Sequence, residues 1–276
     1  MKRLLILAAL ALLAPAQPRA DDNAADCAGT LGVSRVVEVD SKGGGLYGDQ
    51  YPPQHLLAKG EVVLTFDDGP HPKYTQEILA ALKAQCTKAT FFNVGEMVKQ
   101  YPGVAREVQA EGHTIGTHTW SHPNLGRRSL ERAKKEIEST ISAANEALPK
   151  GVAPFFRFPY LSDPKRVRAY LAERNIAVFG IDVDSSDYRT RKADQITDNV
   201  LKGLIKTGGG IILFHDIHAV TAKALPNVLD ELKRHGFQVV HLVPKSPVEA
   251  LALSPPPPQS KPQHRRSRRH RNYARQ

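Results

Sequence analysis

Short apolar runs alternate with helix-like segments between residues 61 and 243 of this 276-residue chain, and this alternation constrains the fold most strongly. Strands and helices that alternate in this way predict a parallel sheet with helices packed on its faces. The runs are continuously apolar, as expected for strands that are covered on both sides. The predicted strands are Val62–Phe66, Thr90–Val94, His113–Thr117, Phe155–Phe158, Ile176–Ile181, Ile211–Phe214 and Gln238–Leu242.

Six predicted helices connect these strands, and the chain is long enough for one large domain with a substantial core. About seven parallel strands of this length fit a closed (β/α) barrel better than an open sheet. We therefore expect an α/β barrel domain over residues 61–254. The helices are expected at Thr75–Lys83, Gly103–Ala110, Ser129–Ala147, Lys165–Glu173, Asp194–Ile205 and Ala222–Arg234.

Residues 1–20 have the layout of a secretory signal peptide. Lys2 and Arg3 precede an apolar stretch from Leu4 to Leu13, and small residues follow at Ala14–Ala16 and again at Ala20. This order of basic, apolar and small residues is typical of a segment that directs export. The apolar stretch is short for a membrane span, although an uncleaved anchor is the alternative. We expect an exported protein, either periplasmic or secreted.

Residues 21–60 are predicted to form an N-terminal extension that packs loosely on the domain. They are rich in Gly, Asp and Pro, and only Val36–Val39 has the pattern of a strand. Export would expose the chain to an oxidising compartment. The two cysteines, Cys27 and Cys86, either form one disulfide that ties the extension to the domain or stay separate thiols. Neither cysteine has the spacing of a metal motif.

Residues 255–276 are predicted to be a disordered, Pro/Arg-rich basic tail. They begin with four prolines and contain almost nothing apolar that could be buried. The tail carries seven Lys or Arg residues and no acid, and residues 1–20 carry three basic residues and no acid, which leaves 28 basic and 28 acidic residues in the segment 21–254. The net charge of +10 therefore belongs to the ends of the chain. The tail either contacts anionic envelope polymers or lipid headgroups or is simply solvated. We expect no nucleic-acid partner for an exported protein.

Polar side chains follow the predicted strands at their carboxyl ends, where an α/β barrel builds its active site. The four-residue spacing of His118 and His122 places two imidazoles on one face of a helical turn, a common arrangement for binding zinc. Either Asp67 or Asp68 can supply a third ligand from the end of the first predicted strand. Two histidines and one carboxylate, with an open position for water, describe a catalytic metal site. The other carboxylate is then free to act as a general base.

The segments Thr65–Pro70 (TFDDGP) and His118–His122 (HTWSH) resemble the first two motifs of the polysaccharide deacetylases. These are the NodB-homology proteins of carbohydrate esterase family four. The resemblance covers about residues 61–243 and implies a distorted (β/α) barrel of about seven parallel strands. It implies that Asp67 is the base and that the metal ligands are Asp68, His118 and His122. The implied metal is Zn²⁺, with Co²⁺ or Ni²⁺ as alternatives.

The segment Arg157–Tyr160 (RFPY) resembles the third motif of this family. The resemblance implies that Arg157 holds Asp67 in place and that the backbone N–H of Tyr160 stabilises the oxyanion. A planar guanidinium fixes the orientation of a carboxylate, and an N–H aimed at developing negative charge lowers the barrier. Leu161 follows where the family often has Gly, and this departure weakens the transfer of a substrate from other members.

The segment Asp184–Tyr188 (DSSDY) and His215 resemble the fourth and fifth motifs, with a tyrosine where the family usually has tryptophan. The resemblance implies that His215 is the general acid and that Asp187 holds and tunes it. A carboxylate beside an imidazole favours the protonated form, which an acid requires. Asp184 is a second candidate for that partner.

Together the motifs imply a metal-dependent hydrolase acting on carbon–nitrogen bonds other than peptide bonds. Its expected substrates are N-acetyl groups, or else O-acetyl groups, of an extracytoplasmic polysaccharide such as chitin oligosaccharide or peptidoglycan. One alternative is a related metal-dependent amidase that acts on a small non-sugar amide, because a fold does not determine its substrate. Another is an inactive glycan-binding envelope protein. Export argues against the first alternative, and the complete set of motif residues argues against the second.

Overall fold

The structure is a computed structural model that describes residues 27–52 and 55–248. The predicted signal peptide and the predicted basic tail lie outside these residues. The strands are β1 Arg35–Val39, β2 Leu46–Tyr47, β3 Glu61–Asp67, β4 Thr90–Asn93, β5 Thr114–Thr117, β6 Phe155–Phe156, β7 Ala177–Phe179, β8 Val183–Asp184, β9 Gly210–His215 and β10 Gln238–Pro244. The helices are α1 Tyr74–Ala84, α2 Gly95–Gln100, α3 Pro102–Ala110, α4 Leu130–Ala147, α5 Lys165–Glu173, α6 Ala193–Thr207 and α7 Ala219–Arg234.

All seven predicted strands and all six predicted helices are present, and their ends differ from the predicted ones by at most three residues. Short 3-10 turns add Leu125–Arg127, Pro159–Leu161 and Asp187–Arg189. The sequence analysis missed the helix α2 and the two-residue strands β2 and β8. Strands this short do not show a repeating pattern that could identify them.

The strands form one sheet in which β3 is central and neighbouring strands run parallel. One edge of β3 pairs with β9 along Val62–Asp67. The other edge pairs with β10 at Glu61–Val62 and with β4 at Thr65–Asp67. The ladder continues from β4 through β5, β6 and β7 to β2, and β8 extends the opposite side beyond β9. The parallel pairing confirms the predicted class of fold.

The sheet curls around a core of its own. One buried cluster lies between the strands and the helices, and a second cluster is made of side chains from strands and their adjoining loop alone. The second cluster includes Val63 of β3, Phe92 of β4, Phe179 of β7 and Ile211 of β9. Facing strands that pack their side chains against each other form the interior of a barrel. Among the described residues no pairing closes the sheet between β2 and β8, so the barrel is distorted.

The helices cover the outside of the barrel with one apolar face each. In α4, the buried residues Ala133, Ile137, Ile141 and Ala144 recur at helical spacing,. Ser129 caps this helix by accepting a hydrogen bond from the backbone N–H of Arg132,. Within residues 27–52 and 55–248, no helix is both long and apolar enough to cross a bilayer.

The N-terminal extension does not pack loosely, contrary to the prediction. Its strand β1 pairs in parallel with β10 over five residues, and β2 pairs with β7. The guanidinium of Arg35 donates two hydrogen bonds of 2.6 Å to the carboxylate of Glu61 at the start of β3. A disulfide joins Cys27 to Cys86 at the end of α1, which is one of the two alternatives left open by the sequence. The extension is therefore part of the sheet and is covalently tied to the domain.

Candidate active site

The polar residues predicted for the site meet at one end of the barrel. Asp67 is the last residue of β3 and pairs in register with His215, the last residue of β9. His118 directly follows β5, and Arg157 directly follows β6. Because parallel strands point their carboxyl ends to the same side, these side chains share one cleft.

Asp68, His118 and His122 form a cluster suited to a metal ion. Asp68 Oδ1 lies 3.6 Å from His118 Nε2 and 3.4 Å from His122 Nε2. One ligand atom from each residue lies within 4.8 Å of the others. Tetrahedral zinc with bonds of about 2.0–2.1 Å separates its ligand atoms by about 3.3–3.4 Å. Both distances from Asp68 Oδ1 are close to this separation.

The hydrogen bonding of His118 shows why this cluster suits a cation. His118 Nδ1 lies 2.8 Å from the carbonyl oxygen of Arg157, which can only accept, so Nδ1 carries the proton,. Burial lowers the pKa of His118 despite the opposing charges of the nearby carboxylates, which keeps the ring neutral. Its Nε2 therefore presents a lone pair towards Asp68 Oδ1. That buried oxygen has no hydrogen-bond partner among the described residues. Two buried acceptors facing each other are stabilised when a cation lies between them.

Asp67 is held beside this cluster by a buried arginine. Arg157 Nη1 donates to Asp67 Oδ1 at 2.8 Å and to Thr65 Oγ1 at 2.7 Å. Its Nε and Nη2 donate to the backbone carbonyl oxygens of Phe179, the last residue of β7, and Gly180, the next residue. Asp67 Oδ2 lies 3.7 Å from His118 Nε2. One oxygen of Asp67 is thus anchored, and the other faces the metal-binding cluster.

The loops around the cluster have an unusual backbone. Eight described non-glycine residues have positive φ, and six of them lie in the site loops: Asp68, Thr119, His122, Tyr160, Leu161 and Ser186. Such conformations cost on the order of 1–3 kcal/mol each and concentrate at functional sites. The φ of 59° at Tyr160 accompanies a ring that lies 4.7 Å from the His122 ring. The Tyr160 ring is 66% exposed and forms an outer wall of the cleft.

On the opposite side of the cleft, His215 is bound to a buried carboxylate. His215 Nδ1 lies 2.7 Å from Asp187 Oδ1, and the His215 backbone N–H donates to Asp187 Oδ2 at 2.7 Å. The hydroxyl of Thr221 donates to the same Oδ2 at 2.6 Å. Both oxygens of Asp187 are therefore satisfied, and the imidazole is held in one orientation.

The contacts of this pair stabilise its charged form. Burial by itself lowers the pKa of His215, but the hydrogen bond and charge of Asp187 outweigh it and raise the pKa to about 9. Burial by itself raises the pKa of Asp187, but hydrogen bonds from His215 and Thr221 outweigh it and lower the pKa overall. At neutral pH, His215 therefore holds a proton that it can donate.

Asp184, the other candidate partner of His215, has different contacts. Its Oδ1 accepts from the backbone N–H of Ser186 at 2.7 Å, and its Oδ2 accepts from the hydroxyl of Tyr188 at 3.0 Å. The Tyr188 ring stands edge-on to the His215 ring at 5.4 Å. Within the described part of the chain, Asp187 and not Asp184 contacts His215. Asp184 instead shapes the loop and orients Tyr188.

Sequence analysis did not single out Asp216, which immediately follows His215. Asp216 is fully buried, and its Oδ2 accepts a hydrogen bond of 2.6 Å from the hydroxyl of Thr75. A side chain at Gly69 would overlap this carboxyl group, so Gly69 allows Asp216 to lie against the loop that carries Asp68. Burial raises the pKa of Asp216 to about 7, although the Thr75 hydrogen bond opposes the rise. Its place at a strand end was the available signal.

Comparison with known proteins agrees with this geometry. A family model described as polysaccharide deacetylase matches residues 57–179. A peptidoglycan-N-acetylglucosamine deacetylase from Listeria monocytogenes is 37% identical over 180 residues, which are 65% of this chain and 37% of the relative. The chain thus matches little more than a third of that protein's length. A chitooligosaccharide deacetylase from Azorhizobium caulinodans is 30% identical over 203 residues, which are 72% of this chain and 94% of the relative.

Solved structures show the same similarity. A peptidoglycan deacetylase from Bdellovibrio bacteriovorus matches with a TM-score of 0.71 and 34% identity, over 80% of this chain and 62% of that chain. The segment matched by the family model contains Asp67, Asp68, His118, His122 and Arg157. The fold, the cleft and the sequence similarity therefore agree that this chain belongs to the polysaccharide deacetylase family.

Proposed function

We propose that this protein is a metal-dependent deacetylase that hydrolyses N-acetyl groups on an acetylated extracytoplasmic glycan. One observation carries the proposal: a cation-binding cluster, an anchored carboxylate and a protonated imidazole face one cleft. Amide hydrolysis needs a group that takes a proton from water and a group that gives one to the departing nitrogen. The relatives named above act on peptidoglycan and on chitooligosaccharides, and glycans of that kind are the proposed substrates.

Asp67 is the proposed general base. Arg157 holds one of its oxygens at 2.8 Å, and the other oxygen is directed towards the ligand cluster, where it can take a proton from the attacking water. A carboxylate fixed in this way requires no reorientation during the reaction. Asp67 is 3% exposed, so the cleft also excludes most of the bulk water around it.

Asp68, His118 and His122 are the proposed ligands of a divalent cation. A cation bound there supplies Lewis acidity, which polarises an acyl carbonyl and makes water easier to deprotonate. One carboxylate and two imidazoles with open positions favour Zn²⁺, and Co²⁺ or Ni²⁺ suit the same donors.

His215 is the proposed general acid, and Asp187 is its positioning residue. Water adds to the acyl carbon and gives one proton to Asp67, the C–N bond breaks, and His215 gives a proton to the nitrogen. The products are acetate and a free amine on the sugar. Tyr160 is proposed to donate its backbone N–H to the oxygen that becomes negative, a contribution worth about 3–4 kcal/mol at comparable sites.

Export is proposed from the signal-like N-terminus together with the disulfide. Structural disulfides persist mainly in oxidising compartments, and the bond between Cys27 and Cys86 closes a stretch of 59 residues,. The basic tail is proposed to contact anionic envelope polymers or lipid headgroups. A truncation after Ser254 that binds envelope material as well as the full chain at low salt would exclude this role.

Acetate release from chitin oligomers and from peptidoglycan is the experiment that tests the proposed activity. The purified protein would be assayed with Zn²⁺, after chelation, and as the variants Asp67→Asn and His118→Ala. We expect release that requires metal, and we expect Asp67→Asn to retain metal but lose turnover by about 10²–10⁴-fold. Near-normal turnover of Asp67→Asn would remove Asp67 as the base. No acetate from either substrate, with metal demonstrably bound, would favour a different acyl substrate.

A further inference from the structure

A large groove lies on the outside of the barrel between α4 and the pair α2 and α3. Its volume is about 1010 Å³. Trp120 forms part of its wall, and this residue stands between His118 and His122 in the chain. The groove therefore begins directly behind the loop that carries two of the proposed metal ligands. We call it the α3–α4 groove.

Five cationic side chains line the α3–α4 groove, namely Lys99, Arg106, Arg128, Arg132 and Lys135. None of the five forms an ion pair with any residue that the structure describes. Two acids, Glu136 and Glu146, also line it. Glu136 is already engaged, because its carboxylate accepts hydrogen bonds from the Ser121 backbone N–H at 2.9 Å and hydroxyl at 3.1 Å. Five cations against two acids leave the groove with an excess of positive charge, which attracts anions,.

The aromatic wall of the groove is fixed in place. A side chain at Gly95 would come within 2.6 Å of Trp120 Cε3, so the indole packs directly on the start of α2. The Lys99 ammonium lies 5.9 Å from the centre of the indole ring. Ser121, the next residue, is anchored to α4 through Glu136. An anion entering the groove therefore meets a rigid wall and does not have to order a flexible loop.

The charge of the groove limits its occupants. The basic tail of this chain carries seven cations and no acid, so like-charge repulsion excludes it,. A neutral glycan would gain nothing from five unpaired cations. A polymer that carries repeated carboxylates is complementary to them, and the Trp120 wall places the groove next to the loop of His118 and His122.

We propose that the α3–α4 groove binds carboxylate groups carried by the glycan substrate and so favours anionic over neutral acetylated glycans. This inference rests on the proposed function and extends it to a second contact with the same polymer. The cations act on binding and not on the chemical step, so their effect should fall on KM and should weaken with added salt.

The triple variant Arg106→Gln, Arg128→Gln and Arg132→Gln tests the groove. On peptidoglycan strands that carry stem peptides, we expect kcat/KM to fall about tenfold through KM, since three exposed ion pairs are lost. On the neutral chitin hexamer, we expect a change below about twofold. The matched control, Arg191→Gln with Lys202→Gln and Lys223→Gln, removes the same charge from a groove beside α6 that also contains Asp194 and Asp198. Equal losses on both substrates, or an equal loss in the control, would overturn the proposal.

Binding can be measured without turnover, because Trp120 is the only tryptophan of the chain. In the Asp67→Asn protein, peptidoglycan strands should change the Trp120 fluorescence with a Kd that the triple variant weakens by about tenfold. The chitin hexamer should leave that signal unchanged at equal concentration. An equal fluorescence response to both glycans would refute the proposed role of the groove. If only the peptidoglycan strands bind but the unmutated protein releases no acetate, the proposed role of the groove is supported and the proposed activity fails.

Discussion

The two sides of the cleft differ in whether their polar atoms are satisfied by the protein alone. On the acid side, Asp187 accepts hydrogen bonds from His215 and Thr221, and both of its oxygens are used. On the metal side, Asp68 Oδ1 has no partner among the described residues and faces the ring nitrogens of two histidines. The acid side is therefore complete as folded, whereas the proposed metal side would be completed by a cation. Removal of the metal, a change of pH and substitutions should therefore affect the two sides differently.

Loss of a proposed metal ligand should have the largest effect on activity. We expect His118→Ala to lower kcat/KM by about 10³-fold or more, because a bound metal contributes several kcal/mol to transition-state stabilisation. We also expect chelation to lower the melting temperature of the unmutated protein, since a cation that binds only the folded state stabilises it. Acetate assays, metal analysis and thermal unfolding would measure these effects.

The control for this prediction is His218→Ala. The His218 ring lies 5.8 Å from the His215 ring and is not one of the three clustered ligands. This variant should keep its metal and most of its activity. A melting temperature that does not respond to chelation would show that the metal side is stable without a cation and would contradict the comparison.

Loss of the acid side should be nearly as costly to turnover but should leave the metal bound. We expect Asp187→Asn to reduce kcat by about 10²–10⁴-fold, the usual contribution of a positioned proton donor. The pKa of His215 is raised to about 9, so the protonated form is lost as pH rises through that value. The rate should therefore fall at alkaline pH, and without the charge of Asp187 this fall should occur at lower pH. A fall in rate at the same pH in Asp187→Asn would exclude Asp187 as the group that raises the pKa of His215.

The buried carboxyl of Asp216 should affect only the metal side. Asp216→Asn disturbs the contact with Thr75 and with the Gly69 loop beside Asp68, and we expect metal affinity to fall about 10-fold, as for other residues that orient ligands. Calorimetric titration of the metal-free protein would measure it. Thr75→Val, which removes the hydroxyl that Asp216 accepts from, should shift affinity in the same direction. Unchanged affinity in both variants would contradict this role.

The smallest effect on activity is expected from substitutions at Asp184, the candidate partner that does not contact His215, and at Tyr188, its hydrogen-bond donor. Asp184→Asn weakens and Tyr188→Phe removes the 3.0 Å hydrogen bond between these residues, and both leave the contact of Asp187 with His215 intact. We expect rates within about threefold of those of the unmutated protein, because one exposed hydrogen bond contributes only about 1 kcal/mol. The pH at which the rate falls on the alkaline side should not change. If the fall in rate moved to lower pH in Asp184→Asn, Asp184 would be the residue that raises the pKa of His215.

The barrel could be predicted from sequence because its strands are buried on both faces. Continuously apolar runs such as Val62–Phe66 are typical of strands that are buried on both faces. The helices between them predict that neighbouring strands run parallel. The two-residue strands β2 and β8 could not be predicted, because they depend on partners far away in the chain. The N-terminal extension was misjudged for the same reason: Val39 and Arg35 are fixed by β10 and Glu61, not by their own segment.

The composition of the cleft could also be predicted, since its motifs stand at strand ends. The choice between Asp184 and Asp187 could not be made, because it depends on the loop between them. There Ser186 adopts a left-handed backbone with φ of 53°, and the chain turns so that Asp187 faces His215. The place of Asp216 at a strand end was visible in the sequence, but its contact with Thr75, 141 residues away, was not.

The cluster of left-handed residues has a consequence for behaviour on heating. The central strand β3 is buried along its whole length, whereas the loops that carry Asp68, His122 and Tyr160 have unfavourable backbone conformations. Segments of this kind open locally at a lower free energy than the global unfolding of the domain. As temperature rises, the cleft should therefore lose its shape while the barrel is still folded. Such inactivation would be reversed on cooling, as long as the barrel had not unfolded.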